Sequence, residues 1–157
     1  MVNLKLTSSA FSDCGEIQRE CGYKNGNEAP PLKINGITKR IISLALIMDD
    51  PDAMEPAGKV WVHWVVWNIE PLSLEHFQAE NSQTPEIVFN DKGMNDFGEV
   101  GYGGPAPPDK RHTYVFKLYA LDIWLRDLPE GSTKSELEKA MEGHIVDQAT
   151  LTGTYAP

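Results

Sequence analysis

The stretch that decides the fold is Val60-Trp-Val-His-Trp-Val-Val-Trp67, in which every residue except the histidine is valine or tryptophan. Side chains of these types suit the pleated, closely packed surface of a β-sheet. Both alternating faces are apolar except at His63, so we predict a central strand that is covered on both sides. By alternation, His63 shares a face with Trp61, Val65 and Trp67, where its ring is out of bulk water and needs a polar partner.

Three other runs predict strands of the same domain. Ile41–Met48 and His112–Leu121 are rich in apolar and β-branched residues, and Gln148–Tyr155 alternates well enough to return as a final strand. Turn-forming Gly, Pro and Asn residues separate short runs along the whole chain. Short strands between such turns are typical of all-β proteins, so the sequence predicts antiparallel sheets in a sandwich or Greek-key arrangement.

Helical signals are confined to two short segments. Thr133-Lys-Ser-Glu136 has the form of a capping box, and the apolar residues that follow it at helical spacing stop at Gly143. Ser73–Ala79 has a capping residue and enough apolar positions for one or two turns of helix. We therefore expect one or two helices packed outside the all-β domain.

Length, composition and charge limit the class of protein. The chain has 157 residues, 41% of them apolar and 24% charged, as expected for a single globular domain over residues 1–157. Its net charge of -9 repels nucleic acids and anionic lipid surfaces. No stretch approaches the roughly 18 apolar residues of a spanning helix, and the N-terminus does not resemble a secretion signal. The sequence therefore predicts a cytoplasmic protein that is not an integral membrane protein.

Cys14 and Cys21 are the only cysteines. Their spacing is compatible with a small disulfide-closed loop. Two thiols in a chain without a secretion signal are more often reduced. Whether the two cysteines pair is open at this point.

The first candidate for chemistry is Asp50-Pro-Asp-Ala53, which follows the predicted strand Ile41–Met48. Pro51 keeps Asp50 out of helical geometry, so the carboxylates of Asp50 and Asp52 can point to the same region. An Asp-Pro turn in which the carboxylates cap backbone amides explains the motif equally well. A carboxylate that only satisfies the buried His63 is a further structural explanation.

The second candidate is the loop Gly101–Pro108 with the start of the next predicted strand, where His112 and Tyr114 share a face. Glycines let a backbone approach a ligand closely, and prolines stiffen the chain, so this loop can form the wall of a small pocket. The alternative is a rigid connection that ends in a solvent-facing histidine.

Two acids and two histidines also suit a hydrolase. Neither cysteine, and no serine, lies in a recognisable nucleophile motif. The residue types suit a metal ion, but their spacing matches no compact ligand set, so only the fold can bring them together. A metal-assisted hydrolase that uses these Asp and His residues therefore stays as the alternative to a binding protein.

Four motifs in this order resemble the two signature regions of the phosphatidylethanolamine-binding protein family. They are Asp50-Pro-Asp-Ala53, His63-Trp-Val-Val-Trp-Asn68, Gly103-Gly-Pro-Ala-Pro-Pro108 and His112-Thr-Tyr-Val-Phe116. Further matches, such as Asn95-Asp-Phe-Gly98 and Leu151-Thr-Gly-Thr-Tyr155, extend the resemblance over almost the whole chain. The chain is most similar to the short bacterial and archaeal branch that is called Raf-kinase-inhibitor-like.

The resemblance implies a β-fold with a central antiparallel sheet and a small anion-accepting pocket between the signature regions. It places eight residues of this chain at that pocket: Asp50, Asp52, Trp61, His63, Gly104, Pro105, His112 and Tyr114. It implies a non-enzymatic protein without a cofactor that binds a phosphate-like anion or a phosphorylated head group. It also implies a homodimer and inhibition of a protein kinase or a serine protease.

Elementary electrostatics adds a condition to such a pocket. An anion beside Asp50 and Asp52 is repelled unless protons are present, so we expect His63 and His112 to supply positive charge or N–H donors. His112 is expected at the mouth, and anion binding is expected to strengthen as the pH falls from about 7 to 5.5. Met54 and Thr113 stand where the family usually has Pro and Arg, which makes the predicted rim less rigid and less basic.

Overall fold

The computed structural model describes residues 3–71 and 91–157. Within these residues the strands are β1 (Lys5–Thr7), β2 (Gly15–Glu16), β3 (Lys33–Asn35), β4 (Ser43–Asp50), β5 (Trp61–Ile69), β6 (Asp91–Lys92), β7 (His112–Leu121) and β8 (Ile145–Tyr155). The same part of the chain contains the helices α1 (Met54–Ala57) and α2 (Lys134–Met141), and 3-10 turns at Arg19–Cys21 and Pro51–Ala53. The helix predicted at Ser73–Ala79 lies outside the described residues.

The strands form a six-stranded sheet in the order β2-β8-β7-β4-β5-β6 and a two-stranded sheet of β1 and β3. All pairs are antiparallel except β2 with β8, which is parallel. The all-β fold class is therefore confirmed, and the four predicted runs all form strands. The last strand is longer than predicted because it starts at Ile145, directly after the turn that follows α2.

The large sheet has a core on each of its faces. On one face, Leu46 of β4 and Phe116 of β7 pack with Leu6 of β1 and Ile34 of β3. On the other face, a second cluster includes Leu137 of α2 and lies beneath that helix. The predicted capping box of α2 is present, since Thr133 and Glu136 each accept a hydrogen bond from the other's backbone N–H.

The strand predicted at Val60–Trp67 is covered on both faces as expected, since Trp64 and Val66 lie in the first cluster and Val65 and Trp67 in the second, but it is not in the middle of the sheet. The middle of the sheet is β4 and β7, and β4 is buried along its whole length. β5 lies next to β6, which pairs with it only at Val66 and Trp67. Farther along, an irregular segment covers the same edge of β5 through Gly103 N–H, which donates to the carbonyl of His63 at 2.9 Å. Burial of His63–Trp67 therefore comes partly from a loop.

The predicted face of His63 is also corrected. A register shift between Met48/Asp49 of β4 and their partners on β5 places one extra residue in β5 between Val62 and Trp64. This β-bulge interrupts the alternation, so Val65 and Trp67 point to the second cluster while the ring of His63 meets Tyr114 on the opposite face. The bulge thus turns His63 towards the end of β4.

Both cysteines are free: Cys14 is exposed and Cys21 is buried. Burial raises the pKa of the Cys21 thiol to about 12, so it stays protonated. The question that the sequence left open is answered in favour of unpaired thiols. Among the described residues, no helix has the length and apolar character needed to cross a bilayer.

Candidate ligand-binding site

A cleft of about 220 Å³ lies at the end of β4, between the segment after β4 and the segment before β7. Its walls are largely apolar and aromatic. The lining residues are Asp50, Ala53, Pro56, Ala57, Trp61, His63, Phe97, Ala106, Pro108, His112 and Tyr114. Five of the eight predicted site residues are therefore brought together here, whereas Asp52, Gly104 and Pro105 do not line the cleft.

The segment after β4 forms one wall. Asp50 ends the strand and caps the 3-10 turn Pro51–Ala53, since its Oδ1 accepts the backbone N–H of Asp52 at 2.9 Å. Pro51 at the first position of the turn supplies the φ that the turn needs. The turn then continues into α1, which ends at Gly58 in the left-handed conformation. The Asp-Pro capping role that the sequence suggested and the placement of Asp50 at the cleft therefore coexist.

Asp52 has a structural role beside the cleft. Its carboxylate accepts the backbone N–H of Thr113 at 2.8 Å and so ties the turn to the start of β7. Because the donor is a backbone group, this tie does not depend on the side chain at position 113. Met54, the other departure from the family pattern, is 56% exposed on α1.

His112 is held between two carboxylates. Its Nδ1 lies 2.6 Å from Oδ2 of Asp50, and its Nε2 lies 2.7 Å from Oδ1 of Asp109. The histidine is 1% exposed, so the expectation that it stands at the mouth of the cleft is wrong. Both of its ring nitrogens are engaged by protein carboxylates, which leaves no N–H of this ring for a ligand.

These contacts shift the protonation of all three groups. Burial lowers the pKa of His112, but the hydrogen bonds and charges of Asp50 and Asp109 outweigh it and raise the pKa above its usual range. Burial raises the pKa of Asp50, which the charge of His112 offsets only in part. For Asp109, desolvation by itself raises the pKa, but the hydrogen bond from His112 has the larger net effect and lowers it. The two carboxylates therefore favour the protonated, charged form of the His112 ring.

His63 is in the opposite state. Its Nδ1 lies 2.6 Å from the carbonyl of Gly103, so Nδ1 carries the proton of the neutral ring and Nε2 is an acceptor. Burial lowers its pKa to about 4, although the contacts with the backbone of Gly103 and Gly104 act in the other direction. The expectation that His63 supplies positive charge between pH 7 and 5.5 is therefore wrong.

Gly104 and Pro105 support the cleft from behind. The N–H of Gly104 donates to Oδ1 of Asn27 at 2.7 Å, and the carbonyl of Pro105 accepts the N–H of Tyr23 at 2.9 Å. A Cβ at position 104 would overlap the carbonyl oxygen of Cys21, so only glycine fits there. The wall itself is made by Ala106 and Pro108, a few residues along the same loop.

Phe97 is a lining residue that the site prediction missed. It lies in a tight turn organised by Asn95, whose Oδ1 accepts the N–H groups of Phe97 and Glu99 and whose Nδ2 donates to Gly101. The ring of Phe97 stacks on Tyr23, with centroids 3.9 Å apart. The motif Asn95-Asp-Phe-Gly98 was visible in the sequence, but an apolar turn residue carries no chemistry that marks it as part of a site.

Two side chains of the cleft have unsatisfied polar atoms. Nε1 of Trp61 and Oη of Tyr114 are buried and make no hydrogen bond of ordinary length with the described residues, although Asp50 and the backbone of Ala106 lie close enough to the Tyr114 hydroxyl to influence its pKa. Burial raises the pKa of Tyr114, and the nearby charge of Asp50 adds to the effect, so the phenol keeps its proton. An indole N–H is only a donor and a phenol O–H readily donates, so both atoms are suited to the acceptor oxygens of a ligand.

A metal ion finds little to bind here. Within residues 3–71 and 91–157, no group of three or more His, Cys, Asp or Glu side chains is arranged to hold one. His112 has no free ring nitrogen, because Asp50 and Asp109 occupy both.

The comparisons with known proteins cover almost the whole chain. The sequence model of the family described as phosphatidylethanolamine-binding protein matches residues 7–156. The UPF0098 protein of Methanothermobacter thermautotrophicus is 43% identical over 154 residues, which are 97% of this chain and 98% of the relative.

Two solved structures share the architecture. A putative phosphatidylethanolamine-binding protein homologue, CT736 from Chlamydia trachomatis, aligns with a TM-score of 0.83 and 35% identity over 99% of this chain and 98% of its own. E. coli YbcL, described as a new member of the mammalian family, aligns with a TM-score of 0.80 and 25% identity over 98% of each chain. Sequence and fold agree, and the chain belongs to the phosphatidylethanolamine-binding protein family.

Proposed function

We propose that this chain is a non-enzymatic binding protein whose cleft takes a phosphate-like group, either free or on a phosphorylated head group. Membership of the family supports a binding role. The volume of the cleft, about 220 Å³, indicates the size of the ligand, because it suits a small polar group and not a large substrate.

The observation that carries the proposal is the pair of unsatisfied donors at Trp61 Nε1 and Tyr114 Oη. Buried polar atoms without partners are rare and call for an explanation. Trp67 Nε1 is also unsatisfied, but Trp67 lies in the second core cluster and away from any lining position of the cleft. Trp61 and Tyr114 line the same cleft, so one ligand with two acceptor oxygens satisfies both.

The charges of the cleft set a condition on such a ligand. Two carboxylates and one imidazole ring leave the group of Asp50, His112 and Asp109 negative overall, so it repels an anion. Asp50 lines the cleft and has a raised pKa, so it is the group that takes up a proton when an anion binds. Affinity for a phosphate-like anion is then expected to increase as the pH falls, through Asp50 and not through His63.

Calorimetric titration with inorganic phosphate and with O-phosphorylethanolamine between pH 8 and 5 tests this function. Tyr114→Phe removes one donor and is expected to weaken binding about tenfold, the effect of one hydrogen bond to a charged group. Tyr119→Phe is the matched control, because Tyr119 lies on the same strand and packs against the opposite core cluster. Absence of binding at every pH, or equal effects of the two variants, contradicts the proposal.

No contact in the described residues favours the metal-assisted hydrolase over the binding protein. Purified protein that retains a stoichiometric metal ion, lost in His112→Ala, would reverse this preference. Inhibition of a protein kinase or a serine protease, a homodimer and a cytoplasmic location stay predictions.

A further inference from the structure

The two short contacts of His112 require two protons, one between each ring nitrogen and its carboxylate. A neutral imidazole has one N–H and one lone pair, so it can donate to one carboxylate only. His112 faces a carboxylate at each ring nitrogen, at 2.6 and 2.7 Å. When the ring loses a proton, one of these contacts becomes a lone pair against a carboxylate, and that contact must open.

The two carboxylates belong to different walls of the cleft. Asp50 caps the turn that leads to Ala53 and α1, and it is fixed there by the N–H of Asp52. Asp109 follows Ala106 and Pro108, which form the facing wall. His112 therefore connects both walls through the same ring.

We propose that Asp50, His112 and Asp109 form a proton-dependent latch across the cleft, closed while His112 is protonated and released at Asp109 when it is not. As a control on ligand entry this rests on the proposed function, but the latch itself can be measured without a ligand.

Release at Asp109, and not at Asp50, follows from solvent exposure. The side chain of Asp109 is 36% exposed, whereas that of Asp50 is 4% exposed. Water can replace the hydrogen bond to Asp109 at little cost, but Oδ2 of the buried Asp50 carboxylate would lose its partner out of reach of water, which is strongly destabilising. The proton that remains on neutral His112 therefore stays on Nδ1, between the ring and Asp50.

The other charged groups around His112 have their own partners. Asp52, on the turn after β4, is bonded to the N–H of Thr113. Arg111 pairs with Glu16 on β2, and Lys110 pairs with Glu55 on α1. On β8, the residue in register with His112 is Tyr155, whose hydroxyl donates to the carbonyl of Arg19. Asp50 and Asp109 are therefore the charges that set the titration of His112.

The test follows two resonances by NMR between pH 5 and 10: the ring of His112 and the methyl group of Ala106. In the native chain both are expected to change with the same midpoint, because the wall is released when the ring loses its proton. Asp109→Asn and Asp109→Ala are both expected to lower the midpoint of His112. In Asp109→Ala the Ala106 methyl is expected to lose its titration, since nothing remains to be released.

Asp122→Asn is the matched control. Asp122 is an exposed acid whose Oδ1 lies 2.9 Å from Nδ1 of a different histidine, His144, and its loss should leave the titration of His112 unchanged. A midpoint of His112 that Asp109→Ala does not move overturns the latch. An Ala106 methyl that still follows the ring in Asp109→Ala, or never follows it in the native chain, also overturns it. Neither measurement uses phosphate, so failure of anion binding is a separate result.

Discussion

The surroundings of the two histidines of the cleft favour opposite charge states. His63 bonds to a backbone carbonyl and is neutral at physiological pH, whereas His112 lies between two carboxylates that favour its charged form. The two rings are almost equally inaccessible to solvent, at 2% and 1% exposure, but His63 lies deeper among apolar groups and is the more strongly desolvated. The difference shows that the partner at each ring nitrogen and the degree of desolvation together decide which histidine contributes charge to the site.

At neutral pH, substitution of His112 should destabilise the protein more than substitution of His63. His112→Leu removes the ring that favours the charged form of Asp50 and leaves Oδ2 of this buried carboxylate without its partner, although Oδ1 still accepts the N–H of Asp52. We expect a loss of about 4 kcal/mol in the free energy of unfolding at pH 7, measured by urea titration.

A second measurement separates lost charge from lost packing. The loss in His112→Leu should shrink as the pH falls towards 4, because the buried Asp50 then takes up a proton and its unpaired charge disappears. Asp50→Asn combined with His112→Leu should recover part of the loss at pH 7. A variant that is as stable as the native chain at pH 7 would show that His112 is not held as a cation.

The contribution of His63 to the stability of the fold should change with pH in the opposite sense to that of His112. In the unfolded chain His63 binds a proton below about pH 6.5, but in the folded chain it stays neutral until about pH 4. The native protein therefore loses stability from this residue as the pH falls from 6.5 to 4, by about 3 kcal/mol in total. For His112, whose folded pKa is raised, the stabilisation is complete below pH 6.5 and is lost as the pH rises through the folded value.

His63→Leu isolates the acid effect. At pH 7 the variant loses the hydrogen bond to Gly103 and should be less stable than the native chain by about 1 kcal/mol. At pH 4 to 5 it should be the more stable of the two, since leucine takes up no proton in the unfolded state. Parallel stability curves for both proteins across this pH range would mean that His63 is not kept neutral by the fold.

The backbone wall around His63 depends on a single organising side chain. Asn95→Ala removes three hydrogen bonds within the turn that carries Phe97, and we expect a loss of about 2 kcal/mol in urea titration. The NMR titration of His112 should be unchanged, because Asn95 has no contact with the carboxylates that hold it. A shifted His112 midpoint in this variant would show that the surroundings of His63 and of His112 are coupled.

The sequence predicted the strands but not their lateral order. Ile41–Met48 and His112–Leu121 are apolar and periodic, so local pattern was enough to assign them. The position of β5 depends on which segment covers its edge, and that segment forms no regular strand at Gly103. The face of His63 depends on a one-residue bulge, which alternation cannot show because it is set by pairing with β4.

The sequence predicted the polar residues of the candidate site and Trp61, but it missed the other apolar lining residues. Asp50, His63 and His112 drew attention because their chemistry is unusual in a strand-rich chain. Phe97 and Ala106 look like ordinary turn and loop residues, and only the fold shows that they line the cleft. Asp109 stands three residues before His112 in the sequence, but that spacing also fits an exposed acid without a partner.

The smallest expected effect concerns Lys110 and Glu55, which connect the same two walls as the proposed latch. Their Nζ and Oε2 atoms are 2.7 Å apart, closer than many stabilising pairs, yet both side chains are more than half exposed. Such pairs are screened by water and salt and give up side-chain entropy, so their net contribution to stability is close to zero.

We expect Lys110→Ala, Glu55→Ala and the double variant to show no coupling beyond experimental error in a urea-titration cycle at pH 7. The same cycle with Asp50→Asn and His112→Leu should show a clear coupling, because there the charges are removed from water. A coupling of similar size in both cycles would mean that contact distance, and not burial, determines how strongly the two walls are joined.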